Sequence, residues 1–148
     1  MAVSRGSGTE IIRTALFEDV VNSAQKLIVG VQHHIYTVLS IVCYCESRSG
    51  TECGYLRLIG YDAVGGTTAQ TIQMAKMSVA AGETFVWNDK FSFNGFEPTN
   101  FTGPMDDATK QDAIADQGSS VSQYLAFLTD SSSTAYDLVL TYIDQNNA

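Results

Sequence analysis

Charge is scarce in this sequence: charged residues make up 16% of its 148 positions, against about 25% in an average soluble domain. Much of the surface must therefore be uncharged. Basic residues are scarcer still, with 8 Lys and Arg against 16 Asp and Glu and a net charge of -8. That balance argues against a grip on DNA or RNA, which needs cations to displace the counterions held by phosphates. Residues Met1 to Gly8 contain no apolar stretch of a secretory signal. The longest apolar run, Ile35 to Cys45, is too short to span a bilayer. The expectation is a chain made in a cytoplasm and not a membrane protein. Its three cysteines, Cys43, Cys45 and Cys53, are an odd count, which points to reduced thiols and not to a disulfide framework.

Catalytic signatures are missing as well. No phosphate loop, dinucleotide fingerprint or nucleophile elbow is present, because Val64-Gly-Gly-Thr67 and Arg5-Gly-Ser-Gly8 lack the spacing those motifs need. His33 and His34 are adjacent, so on a strand they point to opposite faces and cannot form a His-x-x-x-His ligand pair. Asp106, Asp107, Asp112 and Asp116 lack the glycine and closing glutamate of a calcium loop. Asn100-Phe-Thr102 matches a glycosylation sequon that an unexported chain would not use. No catalytic, cofactor-binding or metal-binding residue is assigned, and the expectation is a non-enzymatic protein.

What the sequence does have is period two. Hydrophobic residues make up 45%, with seven Tyr and seven Phe, enough for one folded domain at this length. Along Ala135 to Asp144, Tyr136, Leu138, Leu140 and Tyr142 share one face of a strand, with polar and β-branched residues on the other. Tyr124 to Thr129 precedes it across the turn-forming cluster Asp130 to Thr134, which reads as an antiparallel hairpin. Ile35 to Cys45 looks apolar on both faces, as in a central strand. Tyr55 to Tyr61 follows after a polar connection and reads as its hairpin partner. Shorter strands fit Thr71 to Lys76, Thr84 to Trp87 and Lys90 to Phe93. Near the N-terminus, Ile11, Ile12, Ala15, Leu16 and Val20 also fit a helix face, yet Glu10 to Phe17 and Leu27 to Val31 read as strands. The expectation is an all-β fold, an antiparallel β-sandwich, jelly-roll-like, of about eight strands.

Two segments stand outside that pattern. Residues 1–9 form an N-terminal arm ahead of a single sandwich domain at 10–148. Residues 96–122 hold both prolines, Pro98 and Pro104, and read as a long insertion loop, the kind of connection that commonly meets a partner. Acidic residues also gather late: 1–60 holds five basic and five acidic residues, and 61–148 three and eleven. Trp87, Tyr55 and Tyr61 could alternatively line a sugar-binding face, which keeps a glycan-binding module as a third reading.

Several stretches in order carry a resemblance: Gln25 to Val31, the long strand to Cys45, Val79-Ala-Ala-Gly-Glu-Thr-Phe-Val86, Lys90-Phe-Ser-Phe-Asn-Gly95 and Leu140-Thr-Tyr-Ile-Asp144. Together they resemble small β-sandwich virion structural proteins of tailed bacteriophages. The resemblance implies a capsid decoration or cement protein that binds the major capsid protein in the virion, with a neck or tail accessory protein as the alternative. It implies a homo-oligomer, with a trimer favoured, and no cofactor. Where that family passes directly to its next strand, this sequence inserts Phe96 to Ser122. The contact residues expected are Arg5 and Arg13 against an acidic capsid surface, with Phe101 and Met105 as apolar anchors.

Overall fold

The computed structural model describes residues 8–61, 69–98, 108–109 and 120–147. In chain order its strands begin with β1 (Thr9–Val20), β2 (Gln25–Val29), β3 (His34–Ser47), β4 (Gly54–Tyr61), β5 (Ala69–Met77) and β6 (Thr84–Trp87). They continue with β7 (Phe91–Asn94), β8 (Phe96–Pro98), β9 (Ser120–Ser122), β10 (Tyr124–Thr129) and β11 (Ala135–Asn146). One sheet has the order β1-β11-β3-β6, with β7 also on β3; the other has the order β2-β10-β4-β5. Every pairing is antiparallel. Because β6 pairs with Ile41–Tyr44 and β7 with Ile35–Val38, the two short strands share one position beside β3. Eight strand positions in two packed sheets make a β-sandwich of jelly-roll type. Among the described residues no helix is long and apolar enough to cross a membrane.

Both expected hairpins are corrected. Strand β10 pairs with β2 and β4, whereas β11 pairs with β1 and β3, so Asp130 to Thr134 crosses between the sheets. Likewise β3 and β4 lie in different sheets, and β4 pairs with β5. Period two tells which face of a strand is buried and not which strand lies beside it. A polar connection of five or six residues can turn within a sheet or cross the core. Here the two crossovers hold each other: the Cys53 N–H donates to the Asp130 carboxylate at 2.8 Å, and the Ser49 N–H to the Thr134 hydroxyl at 3.1 Å.

The core lies between the sheets. From the first come Tyr36, Val38, Ile41, Cys43 and Cys45 of β3 and Tyr136, Leu138 and Leu140 of β11; from the second come Leu56, Met77, Leu125 and Phe127. The parity of β3 changes between Val38 and Ile41, where its register against β11 shifts at Thr141/Tyr142. That bulge keeps both halves of a long strand facing inward. Phe127 and Tyr136 meet across the two sheets with ring centroids 5.3 Å apart at 58°. Burying each side chain of this size contributes roughly 1.5–3 kcal/mol.

The expected insertion loop has an ordered base. Phe96, Glu97 and Pro98 pair with Ser122, Val121 and Ser120, a two-stranded ribbon where no strand was expected. The rest of that loop, and the arm up to Ser7, lie outside the described residues apart from 108–109.

Candidate assembly surface

Strand alternation leaves the first sheet with an outer face, and on it apolar side chains line up. Leu16 of β1 stands opposite Val139 of β11, Val139 opposite Val42 of β3, and Val42 opposite Val86 of β6. The four make one row across the sheet. Leu16 is 75% exposed and Val86 51%. A parallel row joins Ile12, Ile143, Thr37 and Ser92, and Ile12 is 69% exposed. Between the rows lie Thr14, Thr141 and Ser40. The sequence expectation that Ile35 to Cys45 is apolar on both faces is met, but only one face is packed; Tyr44 and Val42 look outward. A contiguous apolar patch on a sheet face is a feature of contact surfaces. Among the described residues, strand β1 borders it as an edge, paired only with β11, and an edge strand is a template for pairing with another chain.

Acidic groups rim this face. Register shifts at Phe17/Val20 and at Ala135/Tyr136 bring Asp19, Glu46 and Asp137 together, their carboxylate oxygens all within 4.8 Å. Asp19 has φ 53°, in the left-handed region that Asp tolerates better than most residues, and its N–H donates to Asp137 at 3.0 Å. The Glu46 carboxyl is held above its ordinary range, first by a hydrogen bond with Asp19, then by the charges of Asp19, Asp137 and Glu18. Carboxylates are the donor type that hard cations take. The sequence carries no local sign of this group, because its members are far apart in the chain and meet only through the bulges.

The outer face of the second sheet is of opposite character. Lys26, Ala126, Arg57 and Gln73 form a row across β2, β10, β4 and β5. Lys26 lies 4.6 Å over the Tyr124 ring, and Arg57 and Lys76 lie 5.5 and 6.0 Å from the Tyr55 ring. Ala126 between them is 1% exposed. Asp130, at the end of this face, is held below its ordinary range, chiefly by the Cys53 N–H and then by the Tyr55 hydroxyl.

Of the expected contact residues, Arg13 is described. Its Nε donates to Asp144 at 3.2 Å while half of the side chain stays exposed. The other oxygen of the buried Asp144 carboxylate accepts from His34 Nδ1 at 2.6 Å. His34 thus serves a carboxylate in the fold, and its neighbour His33 occupies a left-handed turn with φ 64°. Arg5, Phe101 and Met105 lie outside the described residues, as do Asn100, Asp106, Asp107, Asp112 and Asp116. Trp87 packs against the core, meets Phe91 edge-on at 6.1 Å and donates its indole N–H to the Asp89 carbonyl at 2.8 Å, which leaves less of the ring for a sugar to stack on. All three cysteines are free and buried.

No protein-family model matches the chain, and no curated protein does. Among solved structures, it is similar to a chain of Bacillus endospore appendages, a family of disulfide-linked pili, with TM-score 0.43 and 12% identity over 100% of this chain and 97% of that one. It is also similar to a chain of infectious bursal disease virus, Gx strain, with TM-score 0.38 and 13% identity, covering 98% of this chain and 39% of that one. The Gt strain gives TM-score 0.34 at 13% identity, over 99% and 38%.

Proposed function

We propose that the protein is a non-enzymatic structural subunit of a virion, a decoration protein that binds and stabilises a shell of major capsid protein. The observation that carries this reading is the in-register apolar row Leu16–Val139–Val42–Val86 on an open sheet face. Such a surface gains most when another protein removes it from water, at roughly 25 cal/mol per Å² of apolar area. In this reading many copies each contribute a modest contact, and the N-terminal arm and the 96–122 loop add attachment points that raise avidity. Arg5 and Arg13 meet acidic capsid groups, and Phe101 and Met105 anchor the loop.

The test is cosedimentation of the purified chain with capsid shells from the source of the sequence. The double variant Leu16→Glu, Val86→Glu changes only exposed positions and should fold, as circular dichroism would verify. Loss of cosedimentation by the folded variant supports the reading. Undiminished binding would remove the apolar row from it, and no binding by the parent chain would remove the capsid.

A further inference from the structure

The two outer faces of the sandwich differ in charge. On β1, β3, β6, β7 and β11, the outward positions hold Glu10, Glu18 and Asp137, with Asp19 and Glu46 at the bulges, and no Lys or Arg. On the outward positions of the second sheet stand Lys26, Arg57 and Lys76. These are half of the six Lys and Arg among the described residues. Among the described residues, the cations at outward strand positions thus lie on the second sheet and none lies on the first, while Arg13 points inward on β1 and Arg48 and Lys90 lie in connections.

The charges also lie at matching heights. The Asp19, Glu46 and Asp137 group sits where β1 and β3 end and β11 begins; Tyr55 opens β4, and Lys76 is the penultimate residue of β5. Both places are at the end of the sandwich where the crossovers 48–53 and 130–134 run. Copies stacked face to back in one orientation therefore set the acidic end of one sheet against the basic end of the next. With the acidic group set against the Lys26–Ala126–Arg57–Gln73 row, one row in from Tyr55 and Lys76, the next outward rows of the two sheets, Leu16–Val139–Val42–Val86 on one and Val29–Tyr124–Ile59–Thr71 on the other, also meet. Apolar then meets apolar and aromatic, which is the composition of an interface core.

We infer that the acidic outer face of one copy docks on the basic, tyrosine-bearing outer face of a second copy, head to tail. The inference rests on reading the chain as an assembly subunit and names its partner as the chain itself. Within an open stack the next copy covers the apolar row, and the terminal copy's row is the one left for the shell. A contact between two different faces is heterologous: it closes into a ring where the rotation per step permits and otherwise continues as a stack. The raised Glu46 carboxyl agrees with this: the charged groups acting on it among the described residues are Asp19, Asp137 and Glu18, and the next copy would supply an opposing cation. Lys26 and Arg57, held over tyrosine rings, are presented at fixed positions, which lowers the ordering cost of docking.

The experiment uses the full chain and two charge reversals at exposed or half-exposed positions: Glu18→Lys with Glu46→Lys on the first sheet, and Lys26→Glu with Arg57→Glu on the second. Sedimentation velocity of the parent chain should show concentration-dependent oligomers that dissociate at about 1 M salt, where screening reduces the Debye length to about 3 Å. Each reversal alone should weaken association by roughly tenfold or more, as like charges meet. The two variants mixed should associate again as alternating oligomers, because the native basic face of one meets the native acidic face of the other and the two reversed faces are likewise opposite in charge. All four reversals in one chain should restore association. A monomeric parent chain at low salt, a self-complementary dimer that survives both reversals, or a mixture that associates no better than either variant alone would overturn the inference. These outcomes are separate from capsid binding: oligomers that ignore capsids leave the inference standing and remove the capsid reading, and capsid-bound monomers do the reverse.

Discussion

The Glu52 carboxylate accepts a hydrogen bond from the Thr134 hydroxyl at 2.5 Å, across 82 residues of sequence. The same Oε2 accepts from Ser131 at 2.7 Å, and Thr134 accepts in turn from the Ser49 N–H. Thr134 is fully buried. Each of the two loops crosses between sheets, and this network fastens one to the other. Thr134→Val should therefore cost about 1–3 kcal/mol, the range for leaving a buried partner unsatisfied. Urea denaturation of Thr134→Val, Glu52→Gln and the double variant measures it, and the double variant should lose less than the sum of the singles.

Gly30 and Gly95 make the closest backbone approach near the base of the insertion. A Cβ on either would collide with backbone atoms, those of Gly95 in one case and of Val31 in the other. The Gly30 N–H donates to the Gln123 carbonyl, and the Gln123 N–H donates to the Gly95 carbonyl, both at 2.8 Å. Ala at either position cannot be accommodated by a side chain moving aside. Each substitution is expected to cost about 3 kcal/mol or more, read as a drop in thermal midpoint. Gly50→Ala, in open space at φ 55°, should cost about 1 kcal/mol from backbone strain.

Burial pushes the Cys43 thiol up to about 12, and Cys45 and Cys53 are buried as well. Thiolate is the reactive form. At pH 8 the native protein should leave all three thiols unlabelled by a thiol reagent and expose three on unfolding. Rapid labelling of the folded chain would contradict the packing of β3.

Two carboxylates give opposite pH dependences. Glu46 is raised above its ordinary value of 4.5 by its acidic neighbours, so the folded chain binds that proton more tightly than the unfolded one. Its contribution is present below the unfolded value and is lost as pH rises through the folded one. Asp130 is lowered below 3.8; its contribution is present above that value and is lost as pH falls through the folded one. Glu46→Gln should accordingly gain on the parent chain as pH rises from 4 to 7, and Asp130→Asn should lose least against it in strong acid. Denaturation midpoints from strong acid to pH 7 give the comparison.

How much of this was legible in the sequence differs by level. The alternation at Tyr136, Leu138 and Leu140 identified β11 and its buried face, because burial on one side of a strand is written in the strand itself. The partners of β10 and β3 were not legible, since Asp130–Thr134 and Glu46–Thr51 have turn chemistry that serves a crossover as well as a hairpin. In a jelly roll most sequence neighbours lie across the core, against the usual habit of adjacent pairing. Asp19, Glu46 and Asp137 could not be grouped before the bulges were known, because each bulge shifts a side chain by one residue. The cation row Lys26–Arg57 was hidden for a related reason: its members belong to strands that only β10 brings together.

The most direct test of a structural role in a virion is the copy number of this chain in purified particles, by quantitative mass spectrometry against the major capsid protein. The account predicts copies in a fixed proportion to the major capsid protein. A few copies per particle would contradict shell decoration and place the chain in the neck or tail; its absence from particles would contradict the virion role altogether.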